Sequence, residues 1–246
     1  MPTPASDPVL SARDLVAGYL PGIHILNGMS VDVMRGEVRC VLGPNGTGKS
    51  TLLKVLFGFL PSLAGETVFD GAPLNGVVSH QMGRRGITYL PQRPSVFPFL
   101  SVEVNLRLGA WSFRRNRSLA RERIERAYAQ FPILAERRRQ AAGTLSGGQQ
   151  RQLEIARALM TDPRVMLIDE PTASIEPRIA AQIYALIAGL ARDGKAILLV
   201  DQNIKGALGI ADYVYVMRTG SLFAAGPRED FTDDVETLVS RWLYTT

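Results

Sequence analysis

VRCVLGPNGTGKSTLL, residues 38–53, decides the fold. A strand-sized apolar run (38–42) leads into a glycine-rich loop that matches GxxxxGK[ST]. From Thr47 a helical pattern follows, with Leu52, Leu53, Val55 and Leu56 supplying its apolar surface until Pro61 stops it. Gly43, Gly46 and Gly48, with Pro44, Asn45 and Thr47 between them, let backbone wrap closely around phosphates and aim N–H groups inward. The helix that follows adds the positive end of its dipole. Lys49 is placed to neutralise the β- and γ-phosphates, and the Ser50 hydroxyl to ligate Mg²⁺. The four fixed positions arise by chance in roughly one chain in a hundred of this length, and the strand-loop-helix context lowers that further.

The run VMLIDE (165–170) reads as a buried strand ending in two carboxylates. Ligands of parallel sheets sit at the carboxyl ends of strands, which puts Asp169 and Glu170 beside the loop. Asp169 is placed to organise Mg²⁺, and Glu170 to orient and partly deprotonate an attacking water. Strands are also expected at 10–16, 29–33, 66–69, 86–90 and 196–200. A hairpin is expected at 213–217 and 222–225, turned at Thr219-Gly220. Helices are expected at 149–160 and at 177–192, where Ile179, Ile183, Leu186, Ile187 and Leu190 form one stripe. Apolar strands alternating with amphipathic helices argue for a mainly parallel α/β sheet covered on both faces. The helical, Arg-rich middle (101–139) is then an insertion into that sheet or a subdomain beside it.

The chain of 246 residues has a formal net charge of +5. Much of the excess is local, at Arg114, Arg115, Arg117, Arg121, Arg123 and Arg126 and again at Arg137, Arg138 and Arg139. Such a surface can meet nucleic acid, anionic lipid or an acidic partner, but Glu122, Glu125 and Glu136 interrupt it, and a solvated helix face is the plainer reading. No run approaches the ~20 apolar residues of a membrane helix, and MPTPASDPVL lacks the charged and apolar regions of a secretory signal. The single cysteine, Cys40, is expected to be a small core residue, and the isolated His24 and His80 imply no zinc site.

A second glycine corner, Ser146-Gly147-Gly148-Gln149, opens the helix at 149–160. Preceded by Leu145, it resembles the LSGGQ signature of ABC ATPases, and the resemblance extends over nearly the whole chain. It implies an α/β P-loop NTPase cassette, residues 1–246 as one ATP-binding domain. Its parts are a mainly parallel core, an N-terminal antiparallel β subdomain and a helical subdomain at about 101–140. Tyr19 stands where the family's aromatic stacks on adenine, and Gln92 in YLPQ resembles the glutamine that contacts Mg²⁺ and water. The stretch from Asp169 to Pro177 resembles the family's acidic motif and D-loop, with Glu176 at the usual aspartate position. ATP and Mg²⁺ are the implied cofactors. The nucleotide set runs on to Thr51 and includes Ser146–Gln149 of a second subunit; the metal set is Ser50, Gln92 and Asp169.

Gln202, in LLVDQN, occupies the position of the family's switch histidine. Glutamine still donates a hydrogen bond to a γ-phosphate oxygen but cannot change charge near neutral pH. VDQN and the segments 97–111 and 131–148 are similar to those of branched-chain amino-acid and urea-type amide importers. The ending VSRWLYTT is similar to the shorter of their two paired ATPases. The implied partners are a second ATPase subunit (identical or paralogous), transmembrane permeases and a solute-binding protein, with no nucleic acid, at the cytoplasmic face of the membrane. An exporter ATPase, a non-transport ABC ATPase and a binding module that senses ATP but barely hydrolyses it are the competing readings.

Overall fold

The computed structural model describes residues 7–231; the ending VSRWLYTT lies outside them. Two sheets lie at the centre. The first is antiparallel and runs in the order β2 (Leu26–Val33), β1 (Leu10–Ala17), β4 (Ala64–Phe69), β5 (Ala72–Pro73). The second has the order β10 (Ser221–Pro227), β9 (Tyr213–Arg218), β3 (Val38–Leu42), β8 (Ala196–Asp201), β7 (Val165–Asp169), β6 (Ile87–Leu90). It is parallel from β9 to β6, and β10 closes it as an antiparallel edge. Thr219 and Gly220 both take positive φ, as the two-residue turn between β9 and β10 requires.

Strand side chains alternate between two cores. Val38, Cys40 and Leu42 of β3, Met166 and Ile168 of β7, and Ile197 and Leu199 of β8 enter one core. Val41, Val165, Leu167, Leu198 and Val200 enter the other, shared with the antiparallel sheet and α1 (Lys49–Leu56). This double burial explains why β7 and β8 read as uninterrupted apolar runs, and β3 as one interrupted only by the half-buried Arg39. The first core is covered by α6 (Gly147–Leu159), α7 (Pro177–Arg192) and α8 (Ile204–Leu208). The middle of the chain adds α3 (Val102–Gly109), α4 (Arg117–Gln130) and α5 (Pro132–Glu136), and α2 (Ser79–Arg85) precedes β6. Cys40 is a buried free thiol, as expected, and burial holds its pKa well above the ordinary value.

Three local readings need correction. The helix expected from Thr47 begins at Lys49, because Gly48 is left-handed at φ +100°. It ends at Leu56, short of Pro61, because Gly58 turns at φ +73° with the place of its missing Cβ only 2.4 Å from the Val77 carbonyl oxygen. The helical middle is three helices. Asn116 opens α4 by accepting from Leu119 N at 3.0 Å, and Pro132 restarts the chain as α5. The short helices α2 and α8 were not read from the sequence.

Candidate functional site

The loop after β3 closes on itself before it closes on anything else. Gly43 lies where a Cβ would stand 2.4 Å from the Met217 carbonyl oxygen, so β9 packs against the loop's root. Thr47 Oγ1 donates to Pro44 O at 3.0 Å. The buried Lys49 ammonium donates to Gly43 O (2.8 Å) and Pro44 O (2.9 Å). Burial lowers the Lys49 pKa, while Glu170, Asp169 and Asp201 oppose that shift by stabilising its charge.

Although β8 separates β3 from β7, the start of α1 meets the end of β7: Ser50 Oγ donates to Asp169 Oδ1 at 2.9 Å. Tyr89 donates to the other carboxylate oxygen at 3.1 Å. Burial raises the Asp169 pKa against these two hydrogen bonds. Glu170 takes a left-handed backbone at φ +41°, unusual for a residue with a side chain, held by its N–H to Val200 O at 2.8 Å. Its carboxylate accepts from Gln92 Nε2 at 2.6 Å. Burial raises its pKa and Lys49 pulls it down.

One cavity of about 410 Å³ is lined by Tyr19, Asn45, Gly46, Lys49, Ser50 and Thr51 together with Gln92, Glu170 and Gln202. Tyr19 OH lies 3.3 Å from Thr51 Oγ1 and accepts from Lys54 Nζ at 3.2 Å; its ring stays half exposed. Ser146, Gly147, Gly148, Gln149 and Glu176 do not line this cavity. Ser146 instead caps α6 in a reciprocal box: it receives the Gln149 N–H at 3.4 Å and gives its own N–H to Gln149 Oε1 at 3.1 Å. That leaves the N–H groups of Gly147 and Gly148 without an intrahelical acceptor. Gly148 is required by packing, since a Cβ there would stand 2.3 Å from Ile179 Cγ2, whereas Gly147 faces open space.

The model of the family described as ABC transporter matches residues 26–173. The chain belongs to the ABC transporter family. It is an ATP-binding, ATP-hydrolysing cassette of that family. The chain is 39% identical to the high-affinity branched-chain amino acid transport ATP-binding protein BraG of Pseudomonas aeruginosa, covering 85% of this chain and 89% of the relative. It is 35% identical to the lipopolysaccharide export system ATP-binding protein LptB of Escherichia coli K12, covering 92% and 93%. A solved ATP-binding cassette of an ABC transporter superposes with a TM-score of 0.85 at 29% identity, covering 97% of this chain and 99% of that one.

The ABC cassette's oxygen donors suit Mg²⁺. Ser50 and Asp169 offer a hydroxyl and a carboxylate in contact, and Gln92 stands at the same cavity. No group of three His, Cys, Asp or Glu side chains among the described residues forms an all-protein cage. Such a sparse set fits an ion that takes most of its shell from phosphate and water.

Several residues that organise the site were not singled out in the sequence. Tyr89 and Lys54 touch Asp169 and Tyr19. Arg151 and Glu154 of α6 form a buried ion pair at 2.5 Å. Arg151 also donates to Pro91 O (2.8 Å) and to Gln92 O, while Glu154 accepts from Ser95 N and Oγ. Behind Gln202, buried Asp201 accepts from Tyr184 OH at 2.8 Å, and that hydroxyl lies 2.9 Å from Thr172 Oγ1. Arg151 and Glu154, spaced i, i+3 on α6, are passed over by an apolar-stripe reading, and the other residues belong to pairs far apart in sequence.

Proposed function

We propose that this chain energises solute import, hydrolysing ATP in sites shared between two ATPase subunits. The observation that carries the reading is the division of the motif set. Lys49, Ser50, Gln92, Glu170 and Gln202 converge on one cavity, whereas the Ser146–Gln149 corner lies outside it with its first helical N–H groups free. A second subunit, packed head to tail, would bring its corner over the nucleotide, and Glu176 near that seam would act across it.

In this mechanism the loop N–H groups and Lys49 hold the β- and γ-phosphates, and Tyr19 stacks on the adenine. Mg²⁺, held by Ser50, Asp169 and Gln92, would neutralise phosphate charge. Glu170 accepts a proton from the attacking water, and its burial-raised pKa makes it a better base than an exposed carboxylate. Gln92 positions that carboxylate, and Gln202 donates to a γ-phosphate oxygen.

The described residues include no helix long and apolar enough to cross a membrane, so the solute path belongs to permease subunits. Their docking surface is the groove of about 410 Å³ beside the 92–100 loop, walled by Tyr89, Phe97, Leu108 and Trp111. Phe99, two residues along the chain from Phe97, is 95% exposed. Import, branched-chain amino acids as cargo and a solute-binding protein are supported by the likeness to BraG, and related amides as cargo by the segments 97–111 and 131–148. Export is the second reading, favoured by the likeness to LptB.

The test is Mg²⁺-dependent ATPase rate against protein concentration, with Glu170→Gln alongside and both sized with ATP. A rate rising faster than linearly, with turnover in the variant lower by at least ~10²-fold and the variant trapped as a dimer, is the expected result. Linear rates, or a variant as active as the parent, would overturn shared sites or the role of Glu170. Proteoliposomes with the cognate permeases then decide direction, by uptake or efflux of labelled leucine.

A further inference from the structure

The Arg-rich middle of the chain is not absorbed by the ATPase reading. It folds around a cavity of about 660 Å³ that shares no residue with the nucleotide cavity. Five arginines line it: Arg107 from α3, Arg114 from the following turn, Arg117 and Arg121 from α4, and Arg138 from beyond α5. Only two glutamates, Glu103 and Glu125, stand against them.

Two of the five arginines are already engaged. Arg107 pairs with Glu103 at 2.5 Å, and Arg114 donates to Trp111 O while stacking on the Trp111 ring. Arg117, Arg121 and Arg138 make no salt bridge and no side-chain hydrogen bond among the described residues. Tyr128 lines the same cavity, and its hydroxyl is shielded from solvent without a hydrogen-bond partner among the described residues. Buried hydroxyls are ordinarily satisfied, and an unsatisfied one beside unpaired cations marks a place where a ligand oxygen would be stabilised. Ala110, Ala120 and Ile124 give the cavity an apolar wall.

Three unpaired guanidinium groups call for more than one negative charge on a compact group. A phosphate monoester carries about −1.5 to −2 near neutral pH and accepts paired guanidinium hydrogen bonds. A carboxylate supplies half of that. A continuous polyanion fits poorly, because Glu103 and Glu125 stand among the arginines. We propose that the cavity between α3 and α4 binds a phosphate monoester, anchored by Arg117, Arg121 and Arg138, with the Tyr128 hydroxyl as a further donor.

A soluble ester and the headgroup of a phosphatidate carry the same chemistry, and the test separates them. Calorimetric titration with glycerol 3-phosphate is made with the nucleotide cavity saturated by ADP. Co-sedimentation uses phosphatidylcholine vesicles with and without phosphatidate. The variants are Arg121→Gln/Arg138→Gln and, as an equal charge change elsewhere on the surface, Arg35→Gln/Arg192→Gln. Tyr128→Phe probes the hydroxyl. The expected result is binding of one or both probes, weakened at least tenfold by the pocket variant, less by Tyr128→Phe, and little by the control. Binding of the free ester identifies a soluble ligand, and binding only of phosphatidate vesicles identifies a lipid. Equal weakening in pocket and control variants, or no binding of either probe, would overturn the proposal. ATPase rates of the same variants show that they are folded, and those rates test the proposed function separately.

Discussion

Replacing Tyr184 by Phe removes one oxygen from the interior and nothing else. That hydroxyl donates to Asp201 Oδ2 at 2.8 Å and lies 2.9 Å from Thr172 Oγ1, and Tyr184, Asp201 and Thr172 are all buried. The Asp201 carboxylate keeps the Asn203 N–H at 2.9 Å but loses its side-chain donor. Hydrogen bonds to charged groups contribute ~1.5–3 kcal/mol, so a loss of about 2 kcal/mol is expected. For a domain of this size that corresponds to a fall in Tm of about 4–8 °C. Urea unfolding of Tyr184→Phe, Thr172→Val and the double variant measures it, with a coupling of ~1 kcal/mol or more between the pair.

The loss also has a pH sign. Burial raises the folded pKa of Asp201, and the Tyr184 hydrogen bond lowers it. Without the hydroxyl that pKa rises further. The penalty concerns ionised Asp201, so it is full above the folded pKa and shrinks as pH falls through it. A destabilisation below ~0.5 kcal/mol at neutral pH, or one that grew on acidification, would refute the reasoning.

Arg151→Met leaves Glu154 buried without its cation and should cost ~3–5 kcal/mol; Arg151→Met/Glu154→Leu should recover part of this, as followed by thermal melting. Gly148→Ala drives a methyl into Ile179 of α7 and should cost ~1–3 kcal/mol. Gly147→Ala, with open space around it, should melt within ~1 °C of the parent yet lower ATPase activity if the corner meets a second subunit's nucleotide. Gly206→Ala places a Cβ 2.4 Å from the Tyr184 ring, so its stability loss should fail to add to that of Tyr184→Phe in a double-variant melt.

The sheet was legible because both of its faces are buried: the strands at 165–168 and 196–200 read as unbroken apolar runs and occupy β7 and β8, and the one at 38–42, interrupted by Arg39, occupies β3. Gly43 through Ser50 was legible because a phosphate cradle needs those residue types at fixed spacing, and the cavity collects Asn45, Gly46, Gly48, Lys49 and Ser50 of that loop with Tyr19, Thr51, Gln92, Glu170 and Gln202. Strand order was not legible, since β8 inserts between β3 and β7 through pairings distant in sequence. The stripe read on α7 included Ile179 and Leu186, which are only partly buried, and missed Tyr184, which is buried because its hydroxyl has partners at positions 172 and 201. Polar atoms buried in long-range pairs leave no periodic trace in a single chain.

Arg151 ties the first turns of α6 to the loop that carries Gln92. Its side chain grips the carbonyls of Pro91 and Gln92, while the helix begins at the Ser146–Gln149 corner. In the proposed dimer that corner senses the neighbour's nucleotide, and Gln92 steadies this subunit's own Glu170. In that dimer the corner and Gln92 would be linked through α6, so arrival of ATP at one site would adjust the base at the other. The two turnovers would then be timed against each other, and a dimer with one disabled corner would lose more than half its rate.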